Sequence, residues 1–461
     1  MTITMYLAIT LLLITISAYL LSEDALSIFD CCSKNTDTSD GLQNNLLYNQ
    51  TFNIANFSSC PDYARNSPFN ALSEAHVKEA VSRKVQLRWK RFVSSVSPYP
   101  ENKFSGRGIV SSTSSGLNGC RRLLASLQLL RWLNCTLPVE VYAYANELEM
   151  HEIRNLKAIQ NVTLHIIKDK VILKNRKKSR FVIKPFSILQ SSFEHVLWMD
   201  SDNIAVNNPE YLFDLPHYKN STAIFWPDFW KTSGRNPIWR MMNIRCREED
   251  YEQESGQLVI NKRLAWKALN LALYLNSDND IIKLIHGDKD TFRLAWRSIN
   301  VSYFFIRTHL AIGGFDLAVA EKSGATSNER TFCGHTMVQH DPLGKVLFLH
   351  TNLVKQYPPI QGLIEKNQTI KQNKINPWRV YIGYTNTIPN MDAVVFFYNL
   401  YVCTTFTNRG NSTWSPLVEQ DFYNLVPVSI TEKYLSYLHG NLIKSNKFRK
   451  IRIIDRHWQK N

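Results

Sequence analysis

The chain has 461 residues, enough to bury a large core as one big domain or two modest ones. Aromatic residues make up 12% of it and no low-complexity tract dominates, which excludes a largely disordered chain and indicates a globular protein with peripheral appendages. The formal net charge is +15, and no repeat of fixed period is present, which excludes a repeat architecture.

An apolar run begins the sequence at residues 5–21, interrupted only by Thr10, Thr15 and Ser17. This length is at the short end of what spans a bilayer, and thin secretory-pathway membranes accept it. A cleaved signal peptide is the alternative, but no Lys or Arg precedes the run and no clean small-x-small cleavage site follows it. We favour a single-pass signal-anchor, with residues 1–4 as a cytoplasmic tail and the bulk of the chain in the lumen.

Residues 22–70 are rich in Asn, Ser, Thr and Asp with few apolar clusters, which predicts a luminal stem. Glycosylation sequons support luminal exposure, although an Asn-rich chain also makes some by accident. Eight Asn-x-Ser/Thr sequons are present, at Asn49, Asn56, Asn134, Asn161, Asn220, Asn300, Asn367 and Asn411.

The eight cysteines show no Cys-x-x-Cys metal spacing. In an oxidising lumen we expect some of them to pair, although the sequence does not give the connectivity. Cys31 and Cys32 follow the apolar run, where they either link two chains into an oligomer or remain local thiols of the stem. Homo- and hetero-oligomers both stay open.

The positive charge is concentrated in two places, residues 168–184 and the tail beyond residue 446. Nucleic acid is not an expected partner of a luminal protein, so an anionic sugar nucleotide or a phosphorylated glycan is the better partner. A solvated basic face is the default interpretation for most of these residues.

The pattern after the stem predicts a catalytic domain over residues 71–461 that begins with an amphipathic helix within residues 71–96. A strand at 106–112, a helix at 121–130 and a strand at 139–144 then predict a βαβ unit of a nucleotide-binding α/β sheet. Neither G-x-G-x-x-G nor Walker A is present, so dinucleotide and P-loop chemistry are not indicated. Arg107 and the loop at 111–115 are candidates to hold a nucleotide, with ordinary loop duty as the alternative.

The central stretch is residues 193–203, where Val196 to Met199 predict a strand buried on both faces. Asp200 and Asp202 follow it at i and i+2, so that their side chains share one side of an extended chain. The carboxyl end of a buried parallel strand is where open α/β sheets bind ligands. Two hard oxygen ligands there suit Mn²⁺ or Mg²⁺ with a phosphate, which predicts a metal-diphosphate site.

Two further Asp-x-Asp pairs occur without that context. Asp278 and Asp280 follow a helical pattern and are interpreted as a polar loop. Asp288 and Asp290 precede another helical pattern, where Asp suits an N-cap and first turn. Downstream of the central stretch, residues 226–230 place aromatic rings around Asp228, which suits either a sugar ring or a packed aromatic core.

Ordered motifs give the chain a resemblance to a known family. They include FEHVLWMDSDN (193–203), FWPDFW (225–230), ESGQLVI (254–260), GDKDTF (287–292), MVQHDP (337–342) and FLHTN (348–352). In this order they resemble the fungal Golgi mannosyltransferases of glycosyltransferase family 71, the mannan-branching α-1,2- and α-1,3-enzymes. The resemblance covers roughly residues 106–358. Two mild departures are Asp290, where Glu is usual, and His340, where Tyr is common.

The resemblance implies a GT-A type nucleotide-sugar-binding sheet flanked by helices, GDP-mannose as donor, Mn²⁺, and retention of the α configuration. Asp200 and Asp202 match the metal-diphosphate motif, and His350 resembles the histidine that completes the metal site, with a core histidine as the alternative. It adds candidates near the donor sugar or acceptor, namely Asp288, Glu254 and Asp228, of which we favour the first two. Lys184 or the basic stretch would add a second positive charge at the departing diphosphate.

The expected function is therefore transfer of mannose from GDP-mannose to mannose-containing glycans on glycoproteins, with an α-1,2 linkage favoured. The expected location is the Golgi membrane, with single-pass type II topology. An α-1,3 linkage is the nearest alternative. A catalytically silent subunit of a Golgi complex and a glycan-binding protein are the other classes left open.

Overall fold

Two β-sheets carry the part of the chain that the computed structural model describes. The described residues are 77–168, 181–247, 251–317, 331–353, 378, 380–384, 391–398, 401–408 and 417–446. All of them belong to one compact unit that runs from Ile54 to Asn461. The predicted tail, anchor and stem lie outside the described residues, as does most of the basic stretch. Among the described helices, none has the length and apolar character needed to cross a membrane.

The first sheet is mixed. Its described strands are β1 (Arg107–Ser112), β2 (Val139–Tyr144), β3 (Val162–Ile167), β4 (His195–Met199), β6 (Ala223–Pro227), β7 (Gln253–Asn261) and β8 (Phe304–Phe305). They follow the order β3-β2-β1-β4-β7-β6-β8. Strands β3, β2, β1 and β4 are parallel, whereas β7 is antiparallel to both β4 and β6.

Helices cover both faces of this sheet, and the mixed α/β class predicted from the sequence is confirmed. The predicted βαβ unit is present as β1, the helix Arg122–Trp132 and β2, and the helical pattern that precedes Asp278 forms a helix too. The helices are α1 (Glu79–Ser95), α2 (Arg122–Trp132), α3 (Met150–Lys157), α4 (Ile183–Gln190), α5 (Pro216–Lys219), α6 (Ile238–Met242), α7 (Lys262–Ser277), α8 (Asn279–Ile282), α9 (Lys289–Ser298) and α10 (Val428–Asn446).

Strand β4 is buried on both faces, as the sequence predicts, and its residues alternate between two cores. Val196 and Trp198 pack with α1, α4, α7 and α9 on one face of the sheet. Leu197 and Met199 pack with α2 and β6 on the other. Because β4 is paired on both edges, by β1 and β7, its end is held in place by the whole sheet.

The second sheet is antiparallel, and its described strands follow the order β13-β14-β10-β9-β12-β15, with β11 pairing β10 and the short strand β5. A disulfide joins Cys333 on β10 to Cys403 on β14, which confirms that some cysteines pair, while Cys120 and Cys135 are free and buried. Its strands are β5 (Asn203–Ala205), β9 (Ala311–Leu317), β10 (Thr331–His340), β11 (Val346–His350), β12 (Val380–Tyr384), β13 (Met391–Tyr398), β14 (Tyr401–Asn408) and β15 (Leu417–Asp421).

A tight turn joins β10 to β11 and is fixed by Asp341. Its Oδ1 accepts hydrogen bonds from the N–H groups of Leu343 and Lys345, at 2.8 and 2.9 Å, and its Oδ2 accepts one from the Tyr211 hydroxyl at 2.6 Å. Gly344 has a φ of +83°, which a residue without a Cβ adopts without strain. The turn sets the pairing in which Met337 faces His350.

The structure corrects the interpretation of Asp278 and Asp280 as a polar loop. Asp278 caps α8 by accepting a hydrogen bond from the N–H of Asp280 at 2.9 Å. Arg88 of α1 lies 2.7 Å from Asp278 and 3.0 Å from Asp280. The pair therefore ties α1 to the end of α7, a role that one-dimensional spacing does not show.

Two buried contacts, one in the first sheet and one at the start of α7, generate predictions. At Gly108 of β1, a Cβ would lie 2.4 Å from the ring of Phe193. That ring is buried in the core, so it has little room to move. We expect Gly108→Ala to lower the free energy of unfolding by about 1–3 kcal/mol through overpacking, measured by urea denaturation. Gly440→Ala is the control, because a Cβ there meets nothing within 4 Å; equal losses in both variants would contradict the packing argument.

The second detail is Lys262, a fully buried lysine at the start of α7. Its Nζ donates hydrogen bonds to the Ser191 carbonyl at 2.7 Å and to the Ser191 hydroxyl at 3.2 Å, and lies 3.5 Å from the ring centroid of Phe104. Burial lowers the pKa of Lys262 to about 7, with Glu140 opposing the effect. Above that pH the unfolded chain, with a lysine pKa near its usual 10.5, binds a proton that the folded chain lacks.

Stability should therefore rise with pH in this window because the unfolded state binds more protons. We expect the free energy of unfolding of the wild type, minus that of Lys262→Met, to increase by roughly 2 kcal/mol between about pH 7 and pH 9. Lys267→Met, which removes an exposed lysine from the same helix, is the control. A difference that falls as pH rises would show that the buried lysine is charged.

Candidate functional site

Three side chains converge at the carboxyl end of β4. Asp200 and Asp202 follow the strand directly, and β5 then pairs with β11 so that Asn203 lies opposite His350. This pairing brings one potential ligand atom from each of Asp200, Asp202 and His350 to within 4.8 Å of the others. The sequence predicted the two carboxylates at this place, and the second sheet supplies the histidine.

The donor set fits a divalent cation. His350 Nε2 lies 3.2 Å from Oδ1 of Asp202. Burial raises the pKa of Asp200, which Lys184 opposes and Asp288 and Asp202 reinforce. Burial would lower the pKa of His350, but Glu254 and Asp202 raise it well above its usual value. The site thus attracts positive charge, and two carboxylates with an imidazole suit a divalent first-row metal.

Lys184 is the buried counter-charge of the site. It comes from α4, and its Nζ lies 3.2 Å from Asp200 Oδ1 and 3.0 Å from Asp288 Oδ2. It also donates hydrogen bonds to the carbonyl and the hydroxyl of Ser255, at 2.7 and 2.8 Å. Burial alone would lower the pKa of Lys184, but Asp200 and Asp288 raise it above its usual value. The ammonium group is therefore engaged by acceptors of the protein. It influences the site by stabilising the carboxylates of Asp200 and Asp288.

Asp288 stands at the N-cap position of α9, but its side chain makes no capping hydrogen bond. The capping role considered from the sequence is therefore not the one its carboxylate performs. Instead its Oδ2 lies beside Lys184. The structure thus brings Asp288 and Asp200 together across one ammonium group, although 87 residues separate them in the sequence.

Glu254 on β7 is buried behind His350. Its Oε1 lies 2.9 Å from Nδ1 of His350 and accepts a hydrogen bond from the N–H of Gly256. Its Oε2 accepts one from Gln257 Nε2 at 2.7 Å. Burial would raise the pKa of Glu254, but His350 and the Gly256 N–H hold it below its usual value. Both oxygens are engaged by the protein.

Asp228 lies at the end of β6 in a second buried ion cluster. Its Oδ2 is 2.7 Å from Nζ of Lys289, which also contacts Glu252. Burial raises the pKa of Asp228, against the lowering effect of Lys289, while Glu254 adds to the rise. The charge of Glu254 therefore acts on Asp228, while Lys289 offsets the negative charge of the Asp228 carboxylate.

Asp290 is structural. Its Oδ1 accepts hydrogen bonds from the backbone N–H of Gln253 at 3.0 Å and from Arg293 at 2.9 Å. The three charged residues of the GDKD motif (287–290) therefore have different contacts. Asp288 contacts Lys184, Lys289 contacts Asp228, and Asp290 ties α9 to β7.

Arg107 is not brought to this cluster. It begins β1 opposite His195, at the amino end of β4, whereas Asp200 follows the carboxyl end roughly 16 Å along the strand. Its guanidinium pairs with exposed Asp214 at 2.9 Å. The aromatic residues also divide, because Trp226 is fully buried and donates to the His340 carbonyl at 2.7 Å, whereas Phe229 and Trp230 are half-buried.

Sequence reasoning missed Arg122 and Thr351. Arg122 Nη1 lies 3.8 Å from Asp202 Oδ2, and Nη2 donates to the Thr351 carbonyl at 2.7 Å. The Thr351 hydroxyl in turn donates to the Asp202 carbonyl at 2.8 Å. A signal existed: arginine at the first turn of a helix opposes the helix dipole, which is unfavourable unless a negative partner lies nearby.

The charge arrangement predicts that Lys184 is needed for stability. We expect Lys184→Met to lower the free energy of unfolding by about 3–5 kcal/mol, because it leaves Asp200 and Asp288 buried without their partner. Added Mn²⁺ should recover part of the loss by supplying positive charge beside Asp200.

The measurement is urea denaturation with and without Mn²⁺. Lys283→Met is the control, because Lys283 is 55% exposed and pairs with Asp280 at the surface, so that its loss should cost less than about 1 kcal/mol. Equal free energies of unfolding of the two variants would show that Lys184 is not the buried counter-charge of Asp200 and Asp288.

Comparison with known proteins supports the resemblance. The family described as "Mannosyltransferase putative" matches residues 106–249 and 239–341, together just over half of the chain. "Alpha-1,2-mannosyltransferase MNN23" of Candida albicans is 30% identical over 272 residues, which are 47% of this chain and 43% of that protein. "Alpha-1,2-mannosyltransferase MNN5" of Saccharomyces cerevisiae is 26% identical over 200 residues, covering 31% and 34%. "Putative alpha-1,3-mannosyltransferase MNN14" of Candida albicans is 26% identical over 253 residues, covering 46% and 36%.

The matches span less than half the length of these three relatives. Among solved structures, the galactosyltransferase LgtC in complex with donor and acceptor sugar analogs covers 43% of this chain and 73% of its own, at 10% identity and a TM-score of 0.33. A likeness of that degree supports no conclusion about this chain. The family match, in contrast, runs from β1 through Asp200 and Asp288 to β10, and the chain belongs to this mannosyltransferase family.

Proposed function

We propose that the chain is a metal-dependent, retaining α-mannosyltransferase that transfers mannose from GDP-mannose to mannose of glycans on glycoproteins. The observation that carries the proposal is the convergence of Asp200, Asp202 and His350 at the end of β4 in a member of a mannosyltransferase family. A dinucleotide or P-loop enzyme is not supported, because the chain has neither motif.

The fold that we propose is of the GT-A type. Four parallel strands with helices on both faces support it, because a ligand site at the carboxyl end of such strands is the rule for open α/β sheets. In this arrangement Asp200, Asp202 and His350 would hold Mn²⁺ or another divalent cation. A bound cation supplies positive charge to the diphosphate as the bond to the sugar breaks.

The protein's own residues would position the reaction. Lys184 favours the ionised form of Asp200 and holds its carboxylate in place, so that it adds charge indirectly rather than by touching the diphosphate. Retention then requires a carboxylate nucleophile on the β face or same-face attack in which the leaving phosphate takes the acceptor proton. Exposure separates the three acidic candidates: the side chain of Asp288 is 22% exposed, against 9% for Asp228 and 4% for Glu254. Asp288 is therefore our choice as the ligand of the donor mannose or of an acceptor hydroxyl.

The linkage that we favour is α-1,2, and α-1,3 is the alternative. Two of the relatives described above are named alpha-1,2-mannosyltransferases and one carries an alpha-1,3 name. The acceptor is proposed to be a mannan side chain. The cellular setting rests on the sequence alone: a Golgi membrane protein of type II topology, with an anchor at 5–21, a stem at 22–70 and a luminal catalytic domain at 71–461.

A non-catalytic role is the second class of function, either as a subunit of a Golgi complex or as a glycan-binding protein. A silent relative would keep the fold but would not need a cation site. The close approach of Asp200, Asp202 and His350 favours the enzyme. Hydrolysis or transfer of GDP-mannose that stops when the metal is removed separates the two classes.

The proposal predicts the behaviour of one variant above all. The full chain should transfer mannose from GDP-mannose to an α-mannobiose acceptor with Mn²⁺ and should stop in EDTA. Asp202→Ala should lose transfer by at least about 100-fold, since it removes charge stabilisation at the leaving group. Product linkage is determined by digestion with linkage-specific mannosidases.

Asp280→Ala is the matched control, because it removes the second carboxylate of another Asp-x-Asp pair at a part-exposed position beside Arg88. It should retain transfer. Transfer by Asp202→Ala at the wild-type rate would contradict the assignment of Asp202 as a ligand of the cation. If the chain transfers sugar only from a different sugar nucleotide, the metal site would stand but GDP-mannose would not be the donor. If it transfers sugar from no donor, the non-catalytic class would be favoured.

A further inference from the structure

We infer that Glu254 is the positioning residue of the metal-binding histidine: it holds the imidazole of His350 by its Nδ1 so that Nε2 faces the cation. The inference rests on the proposed metal site and assigns Glu254 a role different from the sugar or acceptor contact expected from the sequence. It is carried by the geometry of four residues, Glu254, Gly256, Gln257 and His350.

The two nitrogens of His350 face different carboxylates. Nε2 lies 3.2 Å from Asp202 on the side of the cation site, and Nδ1 lies 2.9 Å from Glu254 on the side of β7. An imidazole nitrogen binds a metal only through its free lone pair, so the proton of a metal-bound His350 must sit on Nδ1. A carboxylate 2.9 Å from that nitrogen is near enough to accept a hydrogen bond from its proton once the metal is bound, which would fix both the tautomer and the ring plane.

Glu254 is itself held by its neighbours and cannot turn to another partner. Its side chain is 4% exposed. The Gly256 N–H donates to Oε1, and Gln257 Nε2 donates to Oε2 at 2.7 Å. Gln257 is fixed in turn, because its Oε1 accepts a hydrogen bond from Asn203 Nδ2 at 2.6 Å. A carboxylate whose two oxygens are occupied in this way is suited to orient a neighbour rather than to bind a sugar.

Gly256 provides the space for the contact. A Cβ at this position would lie 2.8 Å from Glu254 Oε1 and 2.8 Å from His350 Nδ1. The missing side chain therefore allows the carboxylate and the imidazole to meet. The Gly256 carbonyl also accepts hydrogen bonds from the N–H of Asp200 and from Asn203 Nδ2, both at 2.8 Å. One stretch of β7 thus supports the Asp200 and the His350 sides of the site together.

The test measures the binding of Mn²⁺ alone to the full chain, in the absence of any sugar nucleotide, by isothermal titration calorimetry. We expect Glu254→Gln to weaken Mn²⁺ binding by about 10–100-fold, the usual effect of losing an outer partner of a metal ligand. Glu254→Asp keeps the charge but withdraws the oxygen from Nδ1, so it should also weaken binding by at least about 5-fold. Unchanged Mn²⁺ affinity in Glu254→Asp would show that only the charge of Glu254 matters and would overturn the inference.

Combining the variants with His350→Ala tests whether Glu254 acts through the histidine. In the His350→Ala background, Glu254→Gln should change Mn²⁺ affinity by less than about 2-fold, because non-additivity is expected for residues that act as one unit. Additive effects of the two substitutions would contradict the positioning role. If Glu254→Gln does not fold, the Glu254→Asp variant carries the same comparison.

The matched control is Glu140→Gln. Glu140 is also a buried glutamate beside a histidine, with Oε2 3.2 Å from His165 Nε2 and 2.8 Å from the Tyr142 hydroxyl, but it lies on β2 away from the site. Its variant should keep the Mn²⁺ affinity of the wild type. Wild-type protein that binds no Mn²⁺ would overturn the proposed metal site and the inference with it, whereas tight binding by both wild type and Glu254→Gln would overturn the inference alone.

Discussion

A single buried ammonium group organises this site. Four carboxylates, those of Asp200, Asp202, Asp288 and Glu254, gather where β4 and β7 lie side by side, and each would repel the others in a medium of low dielectric constant. Lys184 lies between Asp200 and Asp288, and its remaining hydrogen bonds go to Ser255 of β7. Lys184, which α4 holds in place, offsets the charge of Asp200 and Asp288, whereas His350 lies between Asp202 and Glu254.

The second constraint is topological. The end of β4 in the first sheet supplies only the carboxylates of Asp200 and Asp202. The imidazole of His350 comes from β11, which belongs to the other sheet. The pairing of β5 with β11 therefore has two effects. Because β5 follows β4 along the chain, the pairing ties the end of β4 to the second sheet, and it brings His350 to the two carboxylates. Arg122 reinforces the same junction from α2 by contacting Thr351 and Asp202.

The sequence predicted the parts of this arrangement that depend on local pattern. The run from Val196 to Met199 predicted a strand buried on both faces, which the structure has, and the position of Asp200 and Asp202 directly after it indicated a ligand-binding edge. His350 needed the family resemblance, because it lies 148 positions after Asp202 and no periodic pattern connects distant strands. The partners of Lys184, Asp288 and Glu254 could not be predicted, because they depend on the packing of α4, α9 and β7. Arg107 failed to join the site because a strand pattern does not show how far each residue lies from the strand's end.

The tight turn at Asp341 has a consequence for changes in chain length. Side chains alternate between the two sides of a strand, so a slip of β11 by one residue would place Leu349 or Thr351 opposite Asn203, where His350 now lies. Surface turns ordinarily accept an added or deleted residue at little cost. Here the same change would move the imidazole of His350 away from Asp200 and Asp202, although all three residues would remain in the sequence. The length of this turn therefore matters to the candidate cation site as much as the identity of its side chains.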